Sequence, residues 1–475
     1  MSHRRRSLLR FQNEDEDDDD LQEEDVMSLL AGVARADVTP PVGIMLSGYA
    51  ARKTPCVGVH DDLTATALYL EKDGVSAGIV AVDVIQMNAE EVAEVRARCQ
   101  ELTGIAAENI LLACSHTHGG PVMGAGEGDR LRAAYAECLR WKIAGALCEA
   151  RQRVVPARVG HTRKEVLFAG NRRERTPDGR TILGFNPHGP TPRFSDLLRF
   201  DNAESGEPMA LLFQYDCHGT TLTQDNYWVT ADYPGFARRF IERQLPGVRA
   251  AFLGGCAGNQ NPYPRGTFAL AERHGARLGA AVFEGALDIE QTREVSRLVV
   301  RTLHASLPLE DLPSIATCRE QLKAVEAEVE EEMKRATQRA QETGKPASLS
   351  WATERRLKDA QERLAAAERG ETDLTIPIEL QVIALDDIAL LSLPGEIFFE
   401  TGEEIRRRSP FAVTFPVGYA NGAIGYVPTQ AEVPFGGYEV VQARARRHGL
   451  FIRDDADAVL IEQALAALAQ ARDGR

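Results

Sequence analysis

Apolar and polar residues follow one another along the chain in blocks that predict strands and helices in turn. VSAGIVAVDV (75–84) is a continuous apolar run with the length of a buried strand, and NILLAC (109–114) is another. Between them, AEEVAEVRARCQELTG (89–104) places apolar residues at helical spacing and ends in glycine. This order predicts a βαβ unit with parallel strands in a sheet covered on both faces.

The rest of the chain predicts further elements of both kinds. Residues 160–194, which are rich in Gly, Pro and Arg, predict a long loop. The remaining predicted elements are a helix over about 130–151, strands near 195–201 and 210–216, a second βαβ-like pattern ending in the strand RAAFLG (249–254), strands over 375–385 and 387–393, and a closing helix from about Asp454.

Residues 317–369 differ from their surroundings in composition. Both halves are rich in Ala, Glu, Lys and Arg, carry sparse apolar residues at helical spacing, and are separated by Gly344-Lys345-Pro346. They predict an antiparallel helical hairpin inserted between sheet elements. Charge-rich helices are usually surface elements. We therefore favour a solvent-exposed packing arm over a lid or a partner-binding element.

Together these elements predict an α/β fold of mixed, largely parallel sheets flanked by helices, with the helical hairpin inserted. Length alone would suggest about three domains. Because the pattern runs without a linker from residue 29 onward, we expect residues 29–475 to form one large domain.

Charge is concentrated at the N-terminus. Residues 14–25 contain ten carboxylates, and the whole chain carries a formal net charge of −15. Such a run cannot bury apolar surface, so residues 1–28 are predicted to be a disordered acidic tail. The acidic balance argues against general nucleic-acid binding, because phosphates would be repelled over most of the surface.

Several features together predict a cytoplasmic protein. The chain has no run of 18 apolar residues, so no stable membrane association is expected, and no apolar segment follows Arg4-Arg5-Arg6 as an export signal would require. Its eight cysteines are scattered without a Cys-x-x-Cys pair, which favours reduced thiols. A homo-oligomer is compatible with the sequence, which does not decide the assembly state.

Four polar segments follow predicted strands. They are SHTHGGP (115–121), CHGT (217–220), GCAGNQNP (255–262) and PGE (394–396). Ligands bind at the carboxyl ends of strands in open α/β sheets, and imidazoles with one carboxylate are what a catalytic zinc takes. On spacing alone, a polar turn containing His116 and His118 with an exposed Glu396 is equally consistent, because His-x-His is a short motif.

Beyond these local patterns, the chain resembles the catalytic domain of the neutral ceramidases, in particular the shorter bacterial ceramidase-like proteins. The resemblance covers about residues 31–307 and 375–450. It is carried by AGVARADVTPPVGIMLSGY (31–49), NILLACSHTHGGP (109–121), GNRRE (170–174), QYDCHGTTL (214–222), TADYPGFA (230–237), GGCAGNQNP (254–262), LPGE (393–396) and IGYVPT (424–429).

The resemblance implies a zinc site. Its ligands would be His116, His218, Glu396 and Tyr426, with Tyr419 and Tyr438 near enough in sequence to exchange with the last. The family's substrate- and oxyanion-binding residues correspond to His118 and Arg172 here.

One departure from the family changes the expected mechanism. The family's proposed serine nucleophile corresponds to Asn261, and the acid before it to Asn259. A carboxamide cannot replace a serine nucleophile, so zinc-activated water is expected to attack instead, with Asn259 and Asn261 orienting substrate or water. Cys256 in the same loop is an alternative nucleophile, although a small buried packing cysteine is the commoner case.

These residues predict a zinc-dependent hydrolase that cleaves an amide bond of a small soluble substrate, with His118, Arg172 and Tyr426 stabilising the oxyanion and His118 moving the proton. Two alternatives stay open: an acyl transfer or cyclisation enzyme using the same metal site, and a catalytically inactive binding protein. Asp83 and Asp232 are expected to orient the histidines, although Asp232 could equally cap the helix that follows it.

Overall fold

The computed structural model describes residues 28–124, 128–344 and 347–474. The predicted acidic tail therefore lies outside the described residues, except for Ser28. Over the described residues the helices are α1 (Ala89–Thr103), α2 (Arg130–Gln152), α3 (Asp232–Gln244), α4 (Phe268–Asp288), α5 (Ile315–Thr343), α6 (Trp351–Arg369), α7 (Phe399–Arg408), α8 (Tyr438–Val441) and α9 (Ala456–Asp473).

The strands lie between these helices and form two main sheets with several short ribbons. In chain order they are β1 (Leu30–Asp37), β2 (Gly58–Val59), β3 (Thr64–Lys72), β4 (Val75–Val82), β5 (Ile110–Cys114), β6 (Val155–Glu165), β7 (Ala169–Arg175), β8 (Thr181–Asn186), β9 (Phe194–Asn202), β10 (Pro208–Tyr215), β11 (Trp228–Val229), β12 (Arg249–Gly254), β13 (Gln260–Pro262), β14 (Leu298–Pro308), β15 (Thr375–Leu385), β16 (Ile388–Ser392), β17 (Glu396–Ile397), β18 (Val413–Val417), β19 (Tyr426–Val427), β20 (Arg446–Arg447) and β21 (Leu450–Phe451).

The larger sheet has eight strands in the order β12-β10-β9-β6-β1-β3-β4-β5, and the smaller has the order β14-β15-β16-β18. Parallel pairing joins β4 to β5 and β10 to β12, as both βαβ patterns predict, and β16 to β18. The other neighbours in both sheets are antiparallel. The mixed α/β class is confirmed, but the expectation of largely parallel sheets is wrong, because a continuous apolar run reports burial on both faces and not strand direction.

Both faces of the larger sheet are covered. The helices α1 to α4 pack on one face, and the smaller sheet packs on the other, where Phe200 and Leu212 meet Leu390 and Phe415. The helices α7 and α9 cover the outer face of the smaller sheet. Successive residues on β10 therefore point into two different cores, which explains the continuous apolar run over residues 208–213.

The larger sheet curls until its two edge strands, β5 and β12, contact each other. A side chain at Gly254, the last residue of β12, would lie 3.1 Å from the carbonyl oxygen of Cys114, the last residue of β5. The carboxyl ends of strands that are far apart in the sheet order therefore meet at one place.

The predicted loop over residues 160–194 is wrong. This region contains the end of β6 and the strands β7 and β8, all antiparallel to their neighbours. Polar side chains dominate the end of β6 and most of β7, whereas the apolar side chains of β8 are exposed, so the apolar periodicity of a buried strand is missing. The arginines of β7 are buried against acidic partners far along the chain, which sequence spacing does not reveal.

The helices α5 and α6 pack against each other in antiparallel order between β14 and β15. Arg319 pairs with Glu368 near one end and Arg356 pairs with Glu328 near the other. The hairpin also contacts the body of the protein, because Arg363 donates to the carbonyl oxygen of Gly449 at 2.7 Å. None of the described helices has the length and apolar character to cross a bilayer.

Candidate metal and active site

The four polar loops that follow β5, β10, β12 and β16 meet at one edge of the fold. Thr117 and Gly219 form a bridge between the first two loops. The backbone amide of Gly258 donates to the carbonyl oxygen of Ile397 at 2.8 Å, and a Cβ at Gly258 would lie 2.5 Å from the carbonyl oxygen of Glu396. Only glycine permits this close approach of two backbones.

His116 is held in a fixed orientation by two contacts. Its backbone adopts a left-handed conformation with φ of 56°, and its ring stacks on Tyr419 at 3.9 Å between centroids. Its Nδ1 lies 2.7 Å from the carbonyl oxygen of Ile85. A carbonyl oxygen only accepts, so Nδ1 carries a hydrogen, and Nε2 is directed at the Glu396 carboxylate.

His218 is oriented in the same way from another loop. Its Nδ1 lies 2.7 Å from the carbonyl oxygen of Ala257 and 3.1 Å from that of Gln260. The ring is fully buried, and burial together with the nearby Arg172 lowers the pKa of His218 to about 3. The imidazole is therefore neutral near pH 7, which is the form that binds a metal.

Glu396 lies between the two histidines. Its Oε2 is 3.3 Å from Nε2 of His116 and 3.2 Å from Nε2 of His218. The histidines His116, His118 and His218 also offer ring nitrogens that all lie within 4.8 Å of one another. Three loops thus bring imidazole and carboxylate groups to one point.

This arrangement fits a divalent cation. The Nε2 atoms of His116 and His218 both face one carboxylate oxygen, an arrangement that requires a cation or a proton between the atoms. Nitrogen and oxygen ligands of this kind are those that zinc binds. His116, His218 and Glu396 would hold the ion, in agreement with the ligand set that the family resemblance implies.

Tyr426 places its hydroxyl beside these groups. The parallel pairing of β17 with β19 places Tyr426 directly opposite Glu396, and its hydroxyl lies 3.5 Å from Nε2 of His218. Tyr419 instead stacks on the ring of His116, and Tyr438 packs edge-on against the Tyr426 ring. The geometry therefore favours Tyr426 over both neighbours as the further ligand.

Arg172 lies on β7 beside the same groups. Its guanidinium donates to the Tyr426 hydroxyl at 2.9 Å and lies 3.2 Å from Nε2 of His218. Its Nε donates to Glu439 at 2.8 Å, and Glu439 also accepts from Arg173 at 2.7 Å. Arg172 and Tyr426 thus form a buried pair of donors next to the candidate metal position.

A cavity of about 1010 Å³ opens beside this cluster. His118, Arg172, Tyr426 and Asn261 line it, so four of the predicted catalytic residues face one space. Nε2 of His118 lies 3.3 Å from Nε2 of His116, and the buried Nδ1 of His118 has no hydrogen-bond partner among the described residues. The cavity is large enough for a small-molecule substrate.

The two asparagines of the GNQNP loop differ in position. The carboxamide of Asn259 is fully buried, donates to Glu400 at 2.7 Å and accepts from the backbone amide of Phe399 at 3.0 Å. Asn261 faces the cavity beside Thr220. The structure thus brings Asn261 to the site and leaves Asn259 as a contact to α7.

The expected roles of Asp83 and Asp232 are not found. Asp83 accepts from the backbone amide of Thr64 and from Arg238, and Asp232 accepts from the backbone amide of Leu222. Neither carboxylate contacts a site histidine. Backbone carbonyl oxygens orient the histidines instead, and sequence analysis cannot detect such partners because every residue carries a carbonyl.

Sequence reasoning missed several residues around the cavity. Tyr49 packs edge-on against His118 with 4.9 Å between ring centroids, and Arg52 donates to the carbonyl oxygen of His118 at 2.6 Å. Glu439 holds Arg172, as described above. Tyr49 ends the first segment that resembles the family, which could have marked it, whereas no local pattern marks Glu439.

Comparison with solved structures identifies the fold. The crystal structure of neutral ceramidase from Pseudomonas aeruginosa matches with a TM-score of 0.67 and 20% sequence identity, covering 94% of this chain and 75% of that one. A structure of ceramidase complexed with C2 matches with a TM-score of 0.69 and 18% identity, covering 94% and 76%. The chain has the neutral ceramidase fold.

This similarity confirms the resemblance inferred from the sequence motifs. No protein-family model and no curated protein sequence matches the chain. At 18–20% identity the two structural matches establish the fold alone. The activity must therefore be argued from the residues around the cavity.

Proposed function

We propose that this protein is a zinc-dependent hydrolase that cleaves an amide bond of a small N-acyl substrate. The convergence of His116, His218 and Glu396 at the head of a large cavity, on the fold of the neutral ceramidases, is the observation that carries the proposal. A bound zinc ion would polarise the substrate carbonyl and activate water for attack.

The surrounding side chains suit the remaining steps of amide hydrolysis. Arg172 and Tyr426 place two hydrogen-bond donors where negative charge would develop on the carbonyl oxygen. His118 faces the cavity with one unpartnered ring nitrogen, a position from which it can carry a proton to the leaving amine. Asn261 faces the same space and would orient the substrate.

No serine stands in the loop that carries the family's proposed nucleophile, so attack by water replaces covalent catalysis in this proposal. Catalysis is favoured over a passive binding role, because a protein that only binds does not need Arg172 and Tyr426 held beside the histidines. The free thiols of all eight cysteines are in keeping with the proposed cytoplasmic location.

The test is a hydrolysis assay on purified, zinc-loaded protein with N-acyl compounds of graded chain length. Released amine is measured by mass spectrometry alongside the zinc content. We expect turnover of at least one compound, and we expect Glu396→Ala to lose both zinc and turnover. Glu462→Ala, which removes an exposed carboxylate, is the matched control and should retain both.

Two results would overturn the proposal. One is the absence of turnover across the panel by protein that holds zinc. The other is full zinc occupancy in a His116→Ala/His218→Ala double variant, which would show that the metal binds elsewhere. Transfer of the acyl group to an added amine, without release of free acid, would favour the acyl-transfer alternative.

A further inference from the structure

The cavity is positively charged although the chain carries a net charge of −15. Four arginines line it, against the single carboxylate of Glu91 among its described lining residues. They are Arg52, Arg132, Arg172 and Arg265. A cavity whose charge opposes that of the whole protein attracts ligands of one sign.

Acidic partners account for only part of this charge. Arg172 forms an ion pair with Glu439. Arg132 lies close enough to Glu91 to influence the pKa of the Glu91 carboxyl group. Arg52 and Arg265 form no ion pair with any carboxylate of the described residues. No ion pair among the described residues therefore compensates their charge.

The neutral groups around these two arginines hold them in place. Arg52 is only 4% exposed and donates to the carbonyl oxygens of Ser47 and His118 at 2.7 and 2.6 Å. Arg265 donates to the Tyr49 hydroxyl at 2.8 Å, and its other terminal nitrogen lies 2.8 Å from the Asn261 carboxamide when that amide is oriented to satisfy its partners.

The Nε atoms of both arginines are buried without a hydrogen-bond partner. A buried guanidinium with an unsatisfied donor and no counter-charge costs free energy. Two arginines without a carboxylate partner among the described residues, both in the wall of one cavity, have the character of an anion site.

Tyr49 connects this pair of arginines to the proposed catalytic centre. Its ring packs against His118, its hydroxyl accepts from Arg265, and the guanidinium of Arg52 lies 4.8 Å from its ring centroid. Arg265 is thus separated from His118 by one tyrosine ring. A group bound at Arg265 would belong to the same small molecule as the scissile amide.

We propose that the substrate is an N-acyl compound with a carboxylate on the amine side of the scissile amide, and that Arg265 binds this carboxylate. This inference rests on the proposed amide hydrolysis and names its substrate class. Tyr49 and Asn261 position the guanidinium, and Arg52 adds positive charge. The acyl chain then lies along the apolar part of the cavity, which Met45, Leu46, Val122 and Met123 line.

The test compares two probes that differ only in charge, N-dodecanoylglycine and its carboxamide, N-dodecanoylglycinamide. Binding is measured by isothermal titration to the Glu396→Ala variant, in which the probes are not consumed. A charge-assisted hydrogen-bond pair predicts about 10- to 100-fold tighter binding of the carboxylate. Arg265→Gln should reduce this preference to about twofold, and Arg265→Lys should restore part of it.

Arg249→Gln is the matched control, because it removes an exposed arginine at the start of β12 and should leave the preference unchanged. Circular dichroism and the melting temperature of each variant verify that it is folded. Equal affinity for the two probes, or a preference that survives in folded Arg265→Gln, would overturn the inference.

The outcome is separable from that of the proposed function. Selective binding of the carboxylate without hydrolysis by the zinc-loaded wild type would reject amide hydrolysis and retain the anion site. Hydrolysis of the neutral probe, with equal binding of the two probes, would retain amide hydrolysis and reject the anion site.

Discussion

Glu439 is the residue on which the electrostatic balance of the site depends most. It is 1% exposed, and its two oxygens accept from Arg172 and Arg173. Arg172 in turn holds the Tyr426 hydroxyl. One carboxylate thus compensates two buried cations and fixes the donor that faces the substrate, although it lies 267 residues from Arg172 in the chain.

We therefore expect Glu439→Gln to lower the free energy of unfolding by about 3–5 kcal/mol, because it leaves buried charge without compensation. Urea denaturation measures this loss. In the fraction that folds, kcat should fall while KM changes little, since the misplaced Arg172 acts on the developing charge.

Glu432→Gln provides the comparison for this change. Glu432 also pairs with Arg173, but its side chain is 23% exposed and water can replace part of the interaction. A loss of stability as large as that of Glu439→Gln would contradict the argument from burial.

Cys256 has the surroundings of a packing residue in this structure. Its Sγ lies against Gly402 of α7, where an added Cβ would be only 2.7 Å away, and burial raises the pKa of the thiol far above its ordinary value. It also does not line the cavity among the described residues.

Cys256→Ala is accordingly expected to keep its turnover rate within about twofold of the wild type and to lose about 1 kcal/mol of stability. The hydrolysis assay and urea denaturation measure the two effects. Complete loss of turnover in a variant of normal stability would return Cys256 to the list of candidate nucleophiles.

Residue types and their positions after strands predicted that His116, His118, His218 and Glu396 meet, and the family resemblance added Arg172 and Tyr426. The partners that hold them were not predictable. Backbone carbonyl oxygens orient both histidines, and Glu439 comes from a segment with no distinguishing pattern. These partners depend on three-dimensional proximity, which a single sequence does not encode locally.

At the scale of elements, the helical hairpin of α5 and α6 has a closer relation to the site than its composition suggests. Trp351, the first residue of α6, lines the same cavity as His118 and Arg172. Ser350 caps α6, and its backbone amide donates to Glu332 of α5 at 2.6 Å. The hairpin thus places an aromatic ring at the cavity, in addition to its role as a solvated arm.

Trp351→Ala should therefore weaken the binding of long acyl chains and leave short ones unaffected. The ring is 42% exposed, so a chain packing on it would gain about 1 kcal/mol, and we expect KM for a dodecanoyl substrate to rise roughly fivefold. The ratio of KM values for dodecanoyl and butanoyl compounds is the measurement.

Trp141 offers a matched control, because it is 40% exposed on α2 and does not line the cavity. Trp141→Ala should leave the ratio unchanged. An equal rise for short and long chains in Trp351→Ala would indicate damage to the site and not loss of a chain contact.

The helices and strands differ in how well their sequence patterns predict them. The helices α1, α2 and α9 and the strands β4, β5 and β10 were predicted within a few residues, because their apolar periodicity is strong. The helix α4 and the buried strand β3 were not predicted. The strand β7 was missed because its buried residues are mainly polar, and β8 was missed because its apolar residues are exposed in no alternating order. Strand direction was misjudged because a strand buried on both faces can be parallel or antiparallel to its neighbours.

At the scale of the whole molecule, the candidate ligands come from both sheets. His116 and His218 follow strands of the larger sheet, whereas Glu396 follows β16 and Tyr426 follows β18 of the smaller one. A metal ion held by these residues would join the two sheets at the edge where their loops meet. Its binding energy should therefore contribute to the stability of the whole fold and not only to the order of one loop.

Zinc at about 100 times its dissociation constant is expected to raise the free energy of unfolding by about 2.7 kcal/mol over the chelated protein. Urea denaturation with zinc and with a chelator measures the difference. His218→Ala should abolish most of this stabilisation, since it removes a ligand from the larger sheet. His304→Ala, which removes an exposed histidine of β14, should retain it in full. Equal stabilisation of the wild type and His218→Ala would mean that zinc binds at another place. A zinc ion bound between the two sheets would lose binding free energy when its His218 ligand is removed.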